Sequence, residues 1–302
     1  MRLKLADHMG LALADLAQRD ERVFVLDGDL ADSDGAMHFA QRHPERFLMA
    51  GIAEQGMVST AAGMAEAGLR PFVFSFAAFL CYRAFDQARV CLSQSLQAVT
   101  LVGSHAGGLS GRNGKTHAAP NDLALMLSLP NVDVWAPADA QDARLAAGEI
   151  LAGDRPAYVR TPRRPFAPDE CLPGEARAFR WILPKRPLSL VATGLATHWA
   201  LAAANELLAD GVEVGLLHCA RLKPLPPLAR ELDGVNCTVV VEDHSRFGGL
   251  ASLLAMEMPE RPLHAFGWPQ DFVGRSGSDE ELLAHYGLNG PALARAIRGL
   301  SG

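Results

Sequence analysis

Residues 98–117 have the sequence AVTLVGSHAGGLSGRNGKTH, in which a short β-branched run is followed by four glycines, two histidines and two cations. The run Ala98–Gly103 predicts a strand, so the segment after it lies at the carboxyl end of that strand. Open α/β sheets bind ligands at this end of their parallel strands. A single histidine is more often structural, but with His105 and His117 on one glycine-rich loop a structural role and a binding or catalytic role both stay open.

Similar β-branched runs alternate with helical patterns along the chain, which is typical of a parallel α/β sheet. In the first half, strands are predicted at Arg22–Asp27, Pro71–Ser75, Ala98–Gly103, Val132–Ala136 and Ala157–Arg160. Helices are predicted at the N-terminus and at Glu54–Ala67, Ala77–Ser95, Asn121–Leu127 and Ala140–Leu151. A second unit has strands at Leu188–Ala192, Val212–Leu217 and Cys237–Glu242, and helices at Thr197–Leu208, Gly249–Glu257, Asp279–Tyr286 and Pro291–Arg298. The expected fold class is α/β, with two doubly wound domains.

The passage between the two units is rich in proline and arginine and has no clear period. Because proline cannot donate a backbone hydrogen bond and breaks helices, we interpret this passage as a linker. The expected division is residues 1–165 for the first domain, 166–186 for the linker and 187–302 for the second domain.

Composition excludes several classes of function. The chain of 302 residues has a formal charge of −6, whereas nucleic-acid-binding faces are basic. No apolar stretch approaches the roughly eighteen residues that suffice to cross a bilayer. The five cysteines form no CxxC pair, which argues against a zinc site or a disulfide framework and is typical of a reducing cytoplasm. We therefore expect a cytoplasmic protein that binds neither nucleic acid nor a membrane.

A second motif is GIAEQGM at residues 51–57, where Glu54 follows a glycine-flanked loop and opens a predicted helix. Glu54 could be an ordinary first-turn carboxylate, which the helix dipole favours. The alternative is a functional carboxylate that is buried beside a heterocycle and shares a proton with it. The motif by itself leaves both interpretations open.

Two further motifs also have a structural and a functional interpretation. Phe76, Phe79 and Tyr82 recur at helical spacing, which predicts one aromatic face. Such a face is usually part of a core, but it can also be a stacking floor for a flat ring. Arg160 ends a predicted strand and Arg163 follows it, and arginines there either face solvent or bind an anion.

Taken together, these motifs resemble the pyrimidine-binding domain of the transketolases and the 1-deoxyxylulose-5-phosphate synthases. GIAEQGM is similar to the catalytic glutamate loop of that family, FSFAAFLCYRAFDQAR to its aromatic helix and GKTH to its Gly-x-Thr-His loop. Farther on, VVVEDHSRFGGLASLLA and FGWPQDFVGRSGSDEELLAHYGL look like the transketolase C-terminal domain. The resemblance covers nearly the whole chain and implies a pyrimidine-binding domain followed by a transketolase C-terminal domain.

The resemblance implies an enzyme that uses thiamine diphosphate to move a two-carbon ketol unit from a ketose to an aldehyde. It implies that Glu54 hydrogen-bonds a ring nitrogen of the cofactor's pyrimidine. Phe76, Phe79 and Tyr82 match residues that stack on or contact this ring, and Asp29 is also expected to bind the cofactor.

The two histidines match substrate-binding positions of the family. His117 matches a histidine that contacts the substrate's hydroxyl groups, and His105 matches one that binds the ketol end of the donor. Both are therefore expected to be catalytic residues. The synthases have aspartate at the position of His105, so the histidine favours ketol transfer over condensation with pyruvate.

The resemblance also predicts a partner. In this family a preceding domain holds the diphosphate and its divalent metal through a GDG motif and an Asn-Asn pair. Residues 27–29 are Asp-Gly-Asp, and no Asn-Asn pair occurs in the sequence. Because the chain begins at the helix that opens the pyrimidine-binding domain, we expect an N-terminal subunit to hold the diphosphate with Mg²⁺ or Ca²⁺. The expected assembly is α2β2, with the metal ligands on the partner.

Several positions that match the family's substrate contacts differ from the usual residues. The phosphate-binding arginine of the first helix becomes Ala6, whereas Ser33 and Arg163 match the other phosphate contacts. Asn113 stands where transketolases have an aspartate that binds a sugar hydroxyl. The loop also carries two additional cations, Arg112 and Lys115. We therefore expect an anionic acceptor that is not a standard sugar phosphate.

Two other hypotheses fit parts of the sequence. The β subunit of a 2-oxoacid dehydrogenase shares the fold and the paired-subunit layout, but it lacks this form of the Gly-x-Thr-His loop and usually has an HHS segment. A non-catalytic partner subunit would keep the fold without the chemistry. Retention of Glu54 and the three aromatic residues argues against that hypothesis.

Overall fold

The computed structural model describes residues 2–109, 111–167, 170–272 and 274–300. The strands are β1 (Leu3–Lys4), β2 (Val23–Asp27), β3 (Phe47–Met49), β4 (Arg70–Phe76), β5 (Thr100–Ser104), β6 (Asp133–Trp135), β7 (Ala157–Arg160), β8 (Pro165–Phe166), β9 (Phe179–Leu183), β10 (Leu188–Thr193), β11 (Gly215–Cys219), β12 (Arg221–Lys223), β13 (Cys237–Ser245) and β14 (Leu263–Trp268). The α-helices are α1 (Leu5–Leu16), α2 (Ala31–Asp34), α3 (Met37–Ala40), α4 (Glu54–Glu66), α5 (Phe85–Gln87), α6 (Asp122–Ser128), α7 (Ala140–Ala152), α8 (Ala196–Ala209), α9 (Leu228–Glu231), α10 (Leu250–Glu257), α11 (Asp279–His285) and α12 (Gly290–Arg298). Two 3-10 helices lie at Pro44–Arg46 and Gly111–Thr116, and two π-helical segments lie at Phe79–Arg83 and Ala88–Gln94.

The first sheet has seven strands in the order β12-β6-β7-β5-β4-β2-β3. All pairs from β6 to β3 are parallel, and β12 adds antiparallel to the β6 edge. Every residue of β4 is buried, because helices cover both faces of the parallel strands. This burial explains why the central strands appear in the sequence as continuous apolar runs.

The second sheet has five strands in the order β14-β13-β10-β11-β9. Strands β14, β13, β10 and β11 are parallel neighbours, and β9 pairs antiparallel with β11. Together the two sheets confirm the predicted α/β class with parallel strands. In the described ranges, no helix has both the length and the apolar character that crossing a bilayer requires.

Part of the passage that we interpreted as a linker is ordered as strand. Residues Phe179–Leu183 form β9, which hydrogen-bonds along one edge of the second sheet. No proline lies within these five residues, so the ladder is not interrupted. The interpretation of an irregular passage is therefore wrong for this stretch, while the domain boundaries themselves stay predictions.

The topology gathers three sequence motifs at one edge of the first sheet. Strands β2, β4 and β5 are parallel neighbours that end at Asp27, Phe76 and Ser104. The segments that follow these strands therefore emerge side by side at the carboxyl edge, where such sheets bind ligands. Helix α4 packs against β4 and brings its first residue, Glu54, to the same place.

Candidate active site

Glu54 is a buried carboxylate with a polar partner on each oxygen. Its side chain is only 1% exposed, at the first position of α4. Arg83 Nη1 donates to Glu54 Oε2 at 2.6 Å, and Ser75 Oγ on β4 donates to Oε1 at a longer 3.5 Å. The Arg83 side chain is 44% exposed, so it covers the carboxylate from the solvent side. Arg83 lies within the aromatic motif of the sequence, but no role was predicted for it.

Two of the three predicted aromatic residues form a stacked pair. The rings of Phe76 and Phe79 have centroids 5.6 Å apart and an interplanar angle of 21°. The guanidinium of Arg83 lies 4.5 Å from the centroid of the Phe79 ring, a cation–π geometry. Arg83 therefore connects the glutamate to the aromatic pair.

The prediction that all three aromatic residues share one helical face is wrong. Phe76 is the last residue of β4, held in extended backbone by its pairing with Ser104 of β5. The turn that follows has π-helical and not α-helical geometry. Tyr82 is 45% exposed, and its hydroxyl accepts a hydrogen bond from the backbone N–H of Asn121 at 3.3 Å. It makes no described ring contact with the stacked pair.

Both histidines of the glycine-rich loop lie against this aromatic pair. The His105 ring centroid is 4.0 Å from that of Phe76. The His117 ring is 5.8 Å from Phe76 and 5.3 Å from Phe79, edge-on to both. The structure thus brings together two histidines and two aromatic residues that the sequence analysis assigned to substrate and cofactor.

His105 is buried, and its environment keeps the imidazole neutral. Burial lowers its pKa to about 3, with further lowering by the positive charges of Lys4 and Arg163 and by His117. Its φ of 54° is in the left-handed region, which is uncommon for a residue with a side chain. A neutral imidazole in this place can both donate and accept a hydrogen bond.

A lysine that the sequence analysis missed lies near the predicted anion contacts. Lys4 Nζ donates to the backbone carbonyl of Ser33 at 2.5 Å. Ala6, the position matched to the phosphate-binding arginine, is buried and offers no polar group. Lys4 precedes Ala6 by two residues, at the start of the same helix. A cation this close to the position of the expected arginine was visible in the sequence. The Arg163 guanidinium lies against Gly111, where an added Cβ would be 2.4 Å from Nη1.

Three of the remaining predicted residues are exposed. Asn113 and Lys115 are exposed on the 3-10 helix Gly111–Thr116. Asp29 is exposed on the turn after β2, with a φ of 67°. The side chain of Arg112 lies outside the described residues. The structure therefore describes no contact of Asn113, Lys115 or Asp29 with the group around Phe76.

The acidic segment after β2 carries both exposed and buried carboxylates, and Asp29 and Asp32 are the exposed ones. Asp34 and Asp27 are both fully buried. Burial and the neighbouring carboxylate of Asp27 raise the pKa of Asp34 to about 9, so Asp34 is protonated near neutral pH.

Comparison with known proteins places these features in a family. Residues 2–167 match the family model for the transketolase pyrimidine-binding domain, and residues 182–293 match the model for the transketolase C-terminal domain. This chain belongs to the transketolase family. Its domains imply the use of thiamine diphosphate, as the resemblance in the sequence suggested.

Several transketolase relatives have nearly the same length as this chain. A Methanocaldococcus jannaschii protein with the provisional name transketolase C-terminal section is 34% identical over 95% of this chain and 93% of its own length. The 6-deoxy-6-sulfo-D-fructose transketolase subunit SqwH of a Clostridium species is 33% identical over 94% and 90%. The solved structure of a split-gene transketolase, an inactive β4 tetramer, superposes with a TM-score of 0.86 at 32% identity and 98% coverage of both chains. The chain is thus a split transketolase-type subunit.

The residues around Glu54 fit the flat ring that the transketolase family binds. The Arg83 guanidinium is a planar group that donates an N–H to Glu54 while its face covers the Phe79 ring. An aminopyrimidine offers the same combination of a flat face and an N–H edge. The carboxylate and the aromatic pair therefore suit the pyrimidine of thiamine diphosphate.

Proposed function

We propose that this chain is the C-terminal subunit of a two-component transketolase. With a separate diphosphate-binding subunit, in an α2β2 assembly, it transfers a two-carbon ketol unit from a ketose donor to an aldehyde acceptor. The observation that carries this proposal is the buried Glu54 carboxylate, which is paired with a planar N–H donor beside stacked aromatic rings.

In this proposal Glu54, Phe76 and Phe79 hold the pyrimidine of thiamine diphosphate. Glu54 accepts a hydrogen bond from the ring edge and shares a proton with it, and the two phenylalanines provide the flat contact. When bound, thiamine diphosphate supplies the electron sink for cleavage of the carbon–carbon bond. The partner subunit holds the diphosphate and its Mg²⁺ or Ca²⁺.

The two histidines bind substrate in this proposal. His105 is neutral because burial lowers its pKa to about 3, so it can donate to one oxygen of the donor's ketol end and accept from another. His117 is half-buried at the opening of the same group, which leaves its ring accessible to a substrate hydroxyl. Both rings pack on the aromatic pair, and this packing fixes their orientation.

An exposed apolar surface beside Glu54 supports docking of a partner there. Leu48, Met49 and Ile52 are exposed just before α4, and Ile52 is 75% accessible. Exposed apolar groups that cluster next to a binding site are typical of a protein interface. A subunit that covers them would also exclude water from Glu54.

The cations near His105 support an anionic substrate. The positive charges of Lys4 and Arg163 both lower the pKa of this histidine, and Lys115 adds an exposed charge on the loop. The Clostridium relative is named for 6-deoxy-6-sulfo-D-fructose, a ketose that carries an anionic sulfo group. We propose that the acceptor carries a phosphate or sulfonate group and that Asn113 alters which sugar hydroxyl is recognised.

The proposal is tested with the subunit purified together with its diphosphate-binding partner. Glu54→Gln is expected to lower kcat for ketol transfer by roughly 10²- to 10⁴-fold, the usual contribution of a positioned proton-sharing group. The matched control is Glu66→Gln, which changes an exposed carboxylate at the other end of α4. Wild-type ketol transfer by Glu54→Gln would overturn the proposal, and it would favour a non-catalytic subunit.

The anionic substrate is tested separately. Arg163→Ala and Lys115→Ala are each expected to lower kcat/KM for the acceptor by roughly tenfold to a hundredfold, since a hydrogen bond to a charged group contributes about 1.5–3 kcal/mol. Arg177→Ala is the control, because Arg177 is an exposed arginine paired with Glu175. If kcat/KM for a phosphorylated or sulfonated acceptor is unchanged in both variants, the anion assignment fails.

A further inference from the structure

A carboxylate of the second domain holds the start of the glycine-rich loop. Asp243, near the end of β13, accepts two hydrogen bonds on the same oxygen, Oδ1. The backbone N–H of Gly108 donates at 3.0 Å, and Trp268 Nε1 donates at 2.7 Å. Gly108 is only three residues after His105, so the contact lies next to the buried histidine.

Two loop glycines permit this close approach. A Cβ added to Gly107 would lie 2.1 Å from Asp243 Oδ2, and one added to Gly108 would lie 2.3 Å from Trp268 Cε2. Any side chain at either position would therefore push the loop away from the second domain. Gly107 also has a φ of 85°, which favours glycine. The glycines that marked the loop in the sequence are thus required by a contact with β13 and β14.

The far end of the loop is tied to the same place. Asp122, at the start of α6, receives two hydrogen bonds from Arg160, from Nε at 2.9 Å and from Nη2 at 3.0 Å. Arg160 Nη2 also donates to the backbone carbonyl of Asp243 at 2.9 Å. Arg160, Asp122 and Asp243 are all buried. Both ends of the segment that carries His105 and His117 are therefore held relative to Asp243.

We propose that Asp243 is a positioning residue, through which the C-terminal domain sets the location of the loop that carries His105 and His117. This inference rests on the proposed function of the two histidines, but the attachment itself does not. Asp243 acts through the loop backbone, because its carboxylate contacts Gly107 and Gly108 and not the histidine rings. The C-terminal domain thereby contributes to catalysis through the position of the loop.

The attachment is tested by amide hydrogen exchange on the full chain, without any activity measurement. Asp243→Ala is expected to speed exchange in peptides from residues 105–121 by roughly tenfold or more, since loss of a buried hydrogen-bond partner costs about 1–3 kcal/mol. Asp243→Asn is expected to restore protection, because its amide oxygen can accept both hydrogen bonds.

The matched control is Glu242→Ala, which removes a buried carboxylate from the adjacent position of β13. Glu242 accepts from the backbone N–H groups of Leu250 and Ala251 at the start of α10 and does not contact the loop. Exchange in residues 105–121 is expected to stay at the wild-type rate in this control. Equal effects of the two alanine variants on the loop would overturn the proposal. Gly108→Ala disrupts the same contact from the loop side. It is the test variant to use if Asp243→Ala does not fold.

The catalytic consequence is tested with the assembled two-subunit enzyme. Asp243→Ala is expected to lower kcat/KM for the donor by roughly tenfold or more, and Asp243→Asn to restore it. In a background that lacks both histidines (His105→Ala with His117→Ala), Asp243→Ala is expected to have little further effect, because the groups that it positions are gone. Full multiplicative losses in the triple variant would overturn the positioning role. If no ketol transfer occurs at all, the proposed function fails while the exchange result stands on its own.

Discussion

Two buried carboxylates near the histidine loop are paired with arginines that differ in exposure, and this difference distinguishes a structural pair from a functional one. In the closed pair, Arg160 and Asp122 are 4% and 0% exposed and share two hydrogen bonds. In the open pair, Glu54 is buried, but its partner Arg83 is 44% exposed and donates one hydrogen bond. The closed pair fixes the loop, whereas the open pair leaves the carboxylate accessible once one surface side chain moves.

The energetics of the two pairs are expected to differ accordingly. A buried carboxylate that loses its partner keeps its full desolvation cost, because water cannot reach it. A carboxylate that is covered by a half-exposed arginine becomes hydrated when that arginine is removed, so the cost is small. Both carboxylates are buried, so burial does not distinguish them. The exposure of the partner arginine does distinguish them.

The largest expected effect is on stability. Arg160→Ala is expected to lower the free energy of unfolding by about 3–5 kcal/mol, because it leaves Asp122 buried without its cation. Arg83→Ala is the matched control, with an expected loss of at most about 1 kcal/mol. Chemical denaturation of the two variants measures the difference. Equal losses would remove the distinction between the closed and open pairs.

The second expected effect is a pH dependence from His105. This imidazole stays neutral in the folded chain down to about pH 3, while an unfolded histidine takes up a proton near pH 6.5. Between about pH 3 and 6.5 the unfolded chain therefore binds one more proton than the folded chain. The free energy of unfolding falls as the pH falls below about 6.5. The slope is up to about 1.4 kcal/mol per pH unit.

This pH dependence is measured by denaturation between pH 4 and 8, with His105→Gln as the variant that lacks the titrating group. The difference between the two curves is expected to change across this range and to level off above the pKa of unfolded histidine. Parallel curves would show that His105 has the same pKa in the folded and the unfolded chain, and they would contradict the lowered pKa of the buried imidazole.

The smallest expected effects come from two tyrosine hydroxyls. Tyr158 donates to Asp122 Oδ2 at 2.7 Å in the closed pair, so Tyr158→Phe is expected to cost about 1–3 kcal/mol. Tyr82 is half-exposed, and its hydroxyl is replaceable by water, so Tyr82→Phe is expected to cost less than about 1 kcal/mol. Thermal unfolding of both variants gives the ranking. A larger loss for Tyr82→Phe would place Tyr82 in the core.

Much of the fold was predictable because the parallel strands are buried on both faces. Strand β4 and its neighbours have continuous apolar sequences, and the helices between them have clear periods. The prediction failed where pairing with a neighbour outweighed local pattern. Phe76 continues β4 because Ser104 of β5 pairs with it, although the sequence from Ala77 onward has a helical pattern.

The candidate site was predictable in its residue types but not in its contacts. The motifs identified Glu54, His105 and His117, because each lies in a short segment whose residue types indicate a binding or catalytic site. The partners of the loop were not identifiable, because Gly108 and Asp243 are 135 residues apart in the chain. Lys4 lies only two residues before position 6, but its contact with Ser33 joins segments 29 residues apart in the chain.

The amino-acid sequence by itself determined the α/β class, the order of the elements, the family and the groups available for chemistry. Only the tertiary structure decided which carboxylate is closed and which is open, and which domain holds the histidine loop. The physical reason is the distance along the chain over which each effect acts. Side-chain periodicity and turn preferences act over a few residues, whereas burial, pairing and electrostatic environment depend on segments that meet only when the chain has folded.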